Sequence, residues 1–323
     1  MAEPVLSEAE QRSQLAGFWA RILAFVLDSL FLSAIGMVLA FFFGPYFVTL
    51  HSWGRCIGIA IALAYLGVLN SSLGGGQTLG KRLTKIAVVG RNGRPIGLGR
   101  SIARSAVLTA PFFVNGWVLP DLPPFASIFI AVVLFGGIGA IIYLYVANRR
   151  TRQSLHDLLV GSFVCRADAV ACPLTLKVRP VHVAVAANWY GLVLLFLLLS
   201  PLGGKLDPSD IAKLGAVRAN VATVPGVWHV AALKGTTHLK SVDAPERTAL
   251  WLTVIAYRDP SPEPPAATAV RVAAKVIEVA PDLLGQRTLT VRVIQGFDIG
   301  FASFSTGYFD TKTAEEWRTA AKP

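Results

Sequence analysis

The sequence predicts a polytopic α-helical membrane protein with about five transmembrane helices, followed by a small α+β soluble domain. Hydrophobic residues make up 54% of the chain and charged residues only 15%, against roughly 25% charged residues in an ordinary soluble domain. Apolar residues are concentrated in the first two thirds of the chain, in runs close to the ~20 residues that a spanning helix needs. Basic residues lie mainly between those runs, as expected for cytoplasmic loops of a membrane protein.

The net charge of +11 would make a soluble protein a candidate for nucleic-acid binding. The position of the charge argues against that function, because acidic and basic residues nearly cancel from Lys205 onward. The basic excess therefore belongs to the loops between apolar runs, where the positive-inside rule accounts for it. We expect the lipid bilayer as a partner, and no nucleic acid.

The cysteines give no sign of a structural framework. Cys56, Cys165 and Cys172 show no paired spacing, so the sequence indicates neither a disulfide network nor a zinc site. We accordingly predict no metal site and no cofactor.

An acidic leader, residues 1–18, precedes the first apolar run and is predicted to be cytoplasmic. Its Ser7-Glu8-Ala9-Glu10 segment is a capping-box pattern, and helical spacing continues to Ile22, which suits a short helix on the inner membrane surface. A frayed tail is the alternative. The following apolar run is too long for a signal peptide and lacks a cleavage pattern, so it is interpreted as a retained anchor.

The membrane domain is predicted at residues 19–166. Its first two spans are expected at about residues 22–48 and 57–73. The basic loop 74–101 between the second and third spans should be cytoplasmic. Within it, an apolar run at residues 86–89 followed by Asn92-Gly93 predicts a strand entering a turn, and hence a small hairpin.

The basic loops on either side decide whether residues 102–119 form the third span. This segment contains Pro111 and Asn115 and is just long enough to cross, whereas residues 125–146 form an unmistakable fourth span. The loop after residue 146 is rich in arginine, so it is cytoplasmic only if residues 102–119 cross the membrane. We therefore expect the crossing, then a cytoplasmic linker at 167–180 and a fifth transmembrane helix at 181–200.

Residues 205–323 are expected to form an extracytoplasmic α+β domain. Alternating apolar patterns predict strands at about residues 228–233, 250–257, 289–294 and 301–308. Helical spacing predicts helices at 211–217, 268–279 and 313–319, the last with Thr313 and Glu316 as a capping pair. The whole chain is thus expected to be a multi-pass protein of the cell membrane, such as a bacterial inner membrane, with a cytoplasmic N-terminus.

Two charged residues of the first span suggest a polar site within the membrane. Arg21 and Asp28 are seven residues apart, which places them on one helix face about 10 Å apart. A carboxylate at that depth is costly unless it is partnered, so Asp28 should face the helix bundle. The predicted topology brings Asn70 and Arg104 to a comparable depth and places Asp157 just past the inner end of the fourth span, and these five residues form the proposed intramembrane polar site.

Three ordered motifs give a resemblance to a known family. They are Arg21 with Asp28, then Gly76-Gln77-Thr78-Leu79-Gly80-Lys81-Arg82-Leu83 leading into Val88-Val89, and then Leu155-His156-Asp157-Leu158-Leu159-Val160-Gly161-Ser162. Together they resemble the RDD family, whose name refers to one arginine and two aspartates; here these would be Arg21, Asp28 and Asp157. The resemblance covers about residues 16–166, and Ser162 stands where threonine is expected. It implies a membrane protein with a polar inner-leaflet site and suggests solute or ion movement.

Other motifs that invite a chemical interpretation do not support one. The glycine-rich segment before Lys81 resembles a nucleotide-binding loop, but Arg82 occupies the position of the Ser or Thr that would hold Mg²⁺. Adjacent residues on a helix point in different directions, so His156 and Asp157 are not expected to form a metal pair. The outer domain shows no nucleophile-base spacing, and we do not expect an enzyme.

Two functions remain open from the sequence. The first is transport of an ion or small solute through the polar site around Asp28. The second is a non-transporting membrane anchor or sensor, whose outer domain binds a partner protein or ligand. The polar residues can equally form a buried ion-pair network that fixes helix packing.

Overall fold

The protein is described from a computed structural model, which describes residues 6–118, 122–169, 173–199, 208–241, 244–285 and 287–322. The chain divides into two compact units. The first, called the membrane unit, comprises Met1–Gly44, Ser52–Leu199 and Asp298–Ala302. The second, called the C-terminal unit, comprises Pro45–His51, Ser200–Phe297 and Ser303–Pro323. The predicted boundary between the fifth span and the outer domain falls at residues 200–207, which lie outside the described residues.

Helices dominate the membrane unit. In chain order they are α1 (Glu8–Gln14), α2 (Phe18–Thr49), α3 (Gly54–Leu69), α4 (Leu79–Leu83), α5 (Leu98–Val114), α6 (Pro124–Ala131), α7 (Gly137–Ala147), α8 (Leu155–Val160) and α9 (Pro180–Leu199). A π-helical turn, Val132–Gly136, joins α6 to α7. Among the described residues, four helical segments are long and apolar enough to cross a membrane: Phe18–Thr49, His51–Leu69, Phe125–Ala147 and Pro180–Leu199.

These four segments leave many large apolar side chains on the surface of the protein. Phe41 is 82% exposed and Phe196 is 68% exposed. Exposed apolar surface on this scale is unfavourable in water but is the normal state of a helix that faces lipid tails. The expected polytopic helical membrane domain is therefore confirmed.

The third predicted crossing, residues 102–119, differs from the other spans; its residue 119 lies outside the described residues. The helix here is α5, which begins at Leu98 and ends at Val114, so its 17 residues span about 25 Å, short of the ~30 Å hydrocarbon layer. Its first turns carry Arg100 and the buried Arg104. These arginines contact other polar groups of the protein, which is why this part of α5 is not apolar. The segment is not among the four long apolar helices, and its crossing stays a prediction.

A two-stranded sheet corrects the hairpin predicted in the basic loop. Strand β1 (Ile86–Gly90) does pass into a turn at Gly93, whose φ is +71°, but the local pairing across that turn is short: a bridge from Val89 to Pro95 and a hydrogen bond from the Gly90 N–H to the Arg94 carbonyl at 2.8 Å. The main partner of β1 is β2 (Ser162–Arg166), which pairs with it antiparallel from Ile86–Arg166 to Gly90–Ser162. A local turn signal cannot reveal a partner strand so far along the chain.

The leader and the linker pack against this sheet. Helix α1 begins with the predicted capping box of Ser7 and Glu10, and the side chain of Gln11 accepts a hydrogen bond from the Thr175 backbone N–H at 2.9 Å. In the linker, Leu174 joins a buried apolar cluster with residues of β1 and β2. Residues Phe18, Trp19 and Ile22 belong to the first turns of α2 rather than to a separate surface helix.

The C-terminal unit is an α+β domain, as predicted. Its strands are β3 (Val227–Ser241), β4 (Ala244–Arg258), β5 (Thr288–Asp298) and β6 (Ser303–Lys312), and its helices are α10 (Pro208–Val221), α11 (Pro265–Val279), α12 (Pro281–Leu284) and α13 (Ala314–Ala320). The four strands form one sheet in chain order, with β3 and β4 antiparallel and β4 and β5 parallel. The parallel pair is joined through α11 and α12, as a βαβ crossover requires.

The core of this unit lies between the sheet and α11. Buried residues of α11, such as Val272 and Val276, recur at helical spacing and belong to one cluster with Leu252 and Val291 of the sheet. Each aliphatic side chain buried in this way contributes about 1.5–3 kcal/mol. At the C-terminal end, Thr313 and Glu316 form the predicted capping box of α13.

Candidate functional site

Asp157 is the centre of a buried ion cluster in the membrane unit. Its carboxylate accepts a hydrogen bond from Arg21 Nη2 at 2.8 Å and another from Arg104 Nε at 2.8 Å. The Ser162 hydroxyl donates to Asp157 Oδ1 at 3.1 Å, and the backbone N–H of Ser154 donates to Oδ2 at 3.3 Å. Asp157 is fully buried, so helices α2, α5 and α8 and strand β2 are all tied to one carboxylate.

Arg21 is held by more than its ion pair. Its Nη1 donates to the backbone carbonyl of Arg152, and its guanidinium carbon lies 4.5 Å from the centre of the Tyr145 ring, a cation–π distance. Arg152 itself has a positive φ of +52°, a sparsely populated conformation for a residue with a side chain. Its own guanidinium donates to the carbonyls of Leu15 and Ala16, which holds the chain in this conformation.

Electrostatics distinguish Asp157 from its neighbour His156, both outside the spanning segments. Burial by itself would raise the pKa of Asp157, but the charges of Arg104 and Arg21 outweigh it and lower that pKa well below its usual value. For His156, burial and the same arginines lower the pKa to about 3, against the attraction of Asp157. At neutral pH the cluster therefore contains an ionised carboxylate beside a neutral imidazole.

Asp28 is the centre of a second cluster, whose other members differ from the partners expected from the sequence. Its Oδ1 accepts hydrogen bonds from the Tyr65 hydroxyl and from the Gly80 backbone N–H, both at 2.8 Å. Its Oδ2 accepts from the Thr78 hydroxyl at 2.6 Å and lies 3.6 Å from Lys81 Nζ. The segment that resembles a nucleotide-binding loop thus wraps a carboxylate of the protein itself.

The sequence of this segment explains its shape. Thr78 is the N-cap of the short helix α4 and accepts from the Lys81 backbone N–H at 3.3 Å. Gly80 lies so close to α2 that a Cβ there would collide with the Ala24 carbonyl oxygen. Only glycine therefore lets the backbone N–H reach Asp28.

Both clusters border one cavity of about 510 Å³ in the membrane unit. Its polar side chains lie where α2 and α5 begin and α3 and α7 end, and they include Arg21, Asp28, Asn70, Lys81, Arg104, Tyr145 and His156. Beyond the charged residues along the same helices, the lining is mainly apolar and includes Leu32, Leu66, Leu108, Phe112 and Ile142, with the hydroxyls of Ser33 and Thr109 among them; Ile22 and Phe25 lie between Arg21 and Asp28. The cavity therefore has one charged end, and its size is that of pockets that hold small molecules.

Asn70 and Lys81 face this cavity in different states. The Asn70 amide donates to the Leu66 carbonyl at 2.7 Å, while its Oδ1 is buried without a hydrogen-bond partner. Lys81 lies outside the spans, and burial together with Arg104 lowers its pKa to about 8, against the attraction of Asp28. Both residues thus have hydrogen-bonding capacity that the described part of the protein does not use.

The five residues proposed from the sequence are therefore divided between two clusters. Arg21, Arg104 and Asp157 are in direct contact. Asp28 is held by other residues than the expected Asn70 and Arg104, and no contact between Asp28 and either of them is described. Asn70 and Asp28 border the same cavity as the two arginines, and their role as a site stays a prediction.

The residues that sequence reasoning missed are Tyr65, Thr78, Gly80 and Lys81. Thr78 to Lys81 belong to one of the motifs that resemble the family, and that motif was the available signal that they matter. Their contact with Asp28 could not be inferred from spacing, because a long stretch of chain separates them from Asp28. Tyr65 gave no signal beyond its position in an apolar helix. Ser162, which stands where threonine was expected, also carries a hydroxyl, and this hydroxyl donates to Asp157 Oδ1.

Comparison with known proteins gives one match, to a family model. The model of the RDD family matches residues 15–161, a range that contains the residues of both clusters except Ser162. No curated protein and no solved structure matches the chain. This chain accordingly is an integral membrane protein that matches the RDD family over residues 15–161 and has an additional C-terminal α+β domain.

Proposed function

We propose that this protein transports an ion or small solute across the membrane, with the binding site in the cavity beside Asp28. The observation that carries the proposal is that the clusters around Asp28 and Asp157 both border one cavity of about 510 Å³ inside a helical membrane unit. A purely structural ion network needs no empty volume beside it, because buried groups that only fix packing are normally close-packed. Charged residues within membrane helices are costly and are typical of substrate or ion pathways.

Within this site, Asp28 and Lys81 are proposed to be the ion pair whose contact changes when a guest binds. Their 3.6 Å separation is longer than a direct charge-assisted hydrogen bond. A guest that approaches Lys81 can therefore compete with Asp28 without first breaking a tight pair. By contrast, both arginines contact Asp157 at 2.8 Å, which suits a fixed framework.

The test uses the full-length protein in sealed liposomes. Gradients of protons, Na⁺, K⁺, chloride and small organic acids and bases are imposed one at a time, and flux is followed with internal indicators or labelled solutes. We expect at least one flux well above that of empty liposomes, and its loss in Asp28→Asn with folding retained. Asp168→Asn is the matched control, because Asp168 is exposed and pairs with Arg166. Absence of any flux, or equal flux in Asp28→Asn, would overturn transport in favour of the anchor or sensor function.

We further infer a cytoplasmic N-terminus and an extracytoplasmic C-terminal unit. The arginine-rich segments on either side of residues 98–147 support this topology, which requires α5 to cross the membrane. Single cysteines at positions 94 and 150, introduced in a chain without Cys56, Cys165 and Cys172, should react with a membrane-impermeant reagent from the same side. Reaction from opposite sides would exclude the crossing.

A further inference from the structure

We propose that the cavity binds a single-chain amphipathic anion, with its negative group beside Lys81 and Arg104 and its apolar chain along α2 and α5. This inference rests on the proposed transport function and names the class of substrate.

The charged end of the cavity has more positive than negative groups. The cations are Arg21, Lys81 and Arg104, while Asp28 and Asp157 are the carboxylates that contact them. With neutral His156, one positive charge is in excess. An uncompensated charge in a low-dielectric site is unfavourable, and an anionic guest restores neutrality.

Two cations retain the capacity to donate to a guest. Arg104 contacts Asp157 through Nε and Nη2, and no hydrogen bond of its Nη1 is described. Lys81 Nζ has only a 3.3 Å contact with the Thr78 hydroxyl and the 3.6 Å pair with Asp28. A carboxylate or phosphate group between these two side chains would accept from both.

Unsatisfied buried atoms at the same end also indicate a guest. Asn70 Oδ1 and His156 Nδ1 are buried and have no hydrogen-bond partner in the described structure, although both residues line the cavity. Such atoms are costly unless something completes them. Asn70 Oδ1 is an acceptor and an ionised head group has no proton to donate to it, so a water molecule beside the head group would complete it.

The shape of the cavity selects a single apolar chain. On α5 the lining runs from Arg104 at the charged end to Phe113, which is about 14 Å along the helix axis. A volume of about 510 Å³ holds roughly 17 groups at the ~30 Å³ that a water-sized group occupies. That suits a carboxylate with a chain of about twelve carbons, whereas a two-chain phospholipid is about three times too large.

The experiment uses full-length protein in phosphatidylcholine nanodiscs and a photoreactive dodecanoate with a diazirine near the chain end. We expect labelling of cavity residues such as Leu108, Phe112 and Ile142, identified by mass spectrometry. Unlabelled dodecanoate should compete at a concentration at least ten-fold lower than dodecanol or butyrate, and dodecylammonium should not compete. Lys81→Gln should reduce labelling at least ten-fold, while the neighbouring Arg82→Gln should leave it unchanged, since Arg82 is exposed.

The competition series separates the possible outcomes. Labelling confined to lipid-facing residues such as Phe41 and Phe196, equal competition by dodecylammonium, or full labelling of Lys81→Gln would overturn the inference. Competition by phosphatidylglycerol, when it is added to the discs, would identify a lipid head group rather than a free acid as the anion and would contradict the single-chain limit. Binding without flux would retain the inference and reject transport, whereas flux of another ion without dodecanoate binding would do the reverse.

Discussion

The backbone N–H of Gly80 donates to Asp28 Oδ1 at 2.8 Å, which joins the first membrane helix to the loop after the second. A side chain at position 80 would separate them, because its Cβ would lie 2.8 Å from that oxygen and closer still to the Ala24 carbonyl. We therefore expect Gly80→Ala to lower the free energy of unfolding by about 1–3 kcal/mol. Chemical unfolding in detergent measures this, with Gly99→Ala as control, since a Cβ at Gly99 meets nothing within 4 Å. Equal stability of the two variants would contradict the contact.

Neutralising Asp157 should be the most damaging single change in the ion cluster. Asp157→Asn leaves Arg21 and Arg104 buried without a counter-ion, and breaking a buried pair on one side costs about 3–5 kcal/mol. We expect a large loss of folded protein in membranes, measured by detergent-solubilised yield and thermal unfolding. Asp168→Asn breaks an exposed pair with Arg166 and should leave both quantities unchanged. Wild-type stability of Asp157→Asn would show that the arginines do not depend on it.

Ser162 offers a more conservative test of the same cluster. Its hydroxyl donates to Asp157 Oδ1 at 3.1 Å, and a hydrogen bond to a charged group contributes about 1.5–3 kcal/mol. Ser162→Ala should lose that amount, whereas Ser162→Thr keeps the hydroxyl and suits a strand position. Unfolding of both variants under the same conditions measures the difference. A threonine variant less stable than the alanine variant would mean that the site has no room for the methyl group.

These contacts show which parts of the fold could be predicted from sequence. Hydropathy predicted the four long apolar helices, because spanning length and composition are local properties of the chain. The need of Asp28 for partners was also predictable, from the cost of a buried carboxylate. Whether residues 102–119 cross the membrane was harder to predict. The positions of the basic loops indicate on which side each loop lies, but they do not determine the length of the helix between them.

The partners of Asp28 could not be predicted, whereas Arg21, Arg104 and Asp157 were grouped by the predicted topology and not by their spacing. Thr78 is 50 residues from Asp28, and Arg21 is 136 residues from Asp157, so helical spacing carries no information about either contact. The same holds for β1, whose Asn92-Gly93 turn indicated a hairpin although its partner is β2. Only packing in three dimensions selects among the available polar groups.

Trp317 tests the C-terminal unit separately. It is 1% exposed, and its indole N–H donates to the Leu289 carbonyl at 3.0 Å, so α13 is fixed to β5. Trp317→Ala should lower the free energy of unfolding of this unit by about 3–5 kcal/mol, and Trp317→Phe by less, since it loses mainly the hydrogen bond. Protease resistance of the C-terminal unit in the full-length protein reports the effect. Phe309→Ala is the control, because Phe309 is 71% exposed; equal resistance of Trp317→Ala and this control would reject the anchoring of α13.

His156 should make the stability of the protein depend on pH. Burial lowers its pKa to about 3 in the folded protein, against about 6.5 in an unfolded chain. As the pH falls below about 6.5, the unfolded chain binds a proton that the folded protein refuses, so stability is complete above that pH and decreases toward pH 3 by up to about 1.4 kcal/mol per unit.

The window from pH 6.5 to 5 isolates this histidine from its neighbours. The stability that comes from the lowered pKa of Asp157 is lost only below about pH 5, where the unfolded aspartate begins to protonate. Lys81, with its pKa of about 8, makes stability depend on pH only at alkaline pH, between that value and the pKa of about 10.4 in the unfolded chain. Chemical unfolding at pH 7.5, 6.5 and 5.5 should therefore give a clear acid loss in wild type and a smaller one in His156→Gln. Parallel pH profiles would show that His156 takes up its proton as readily in the folded protein as in the unfolded chain.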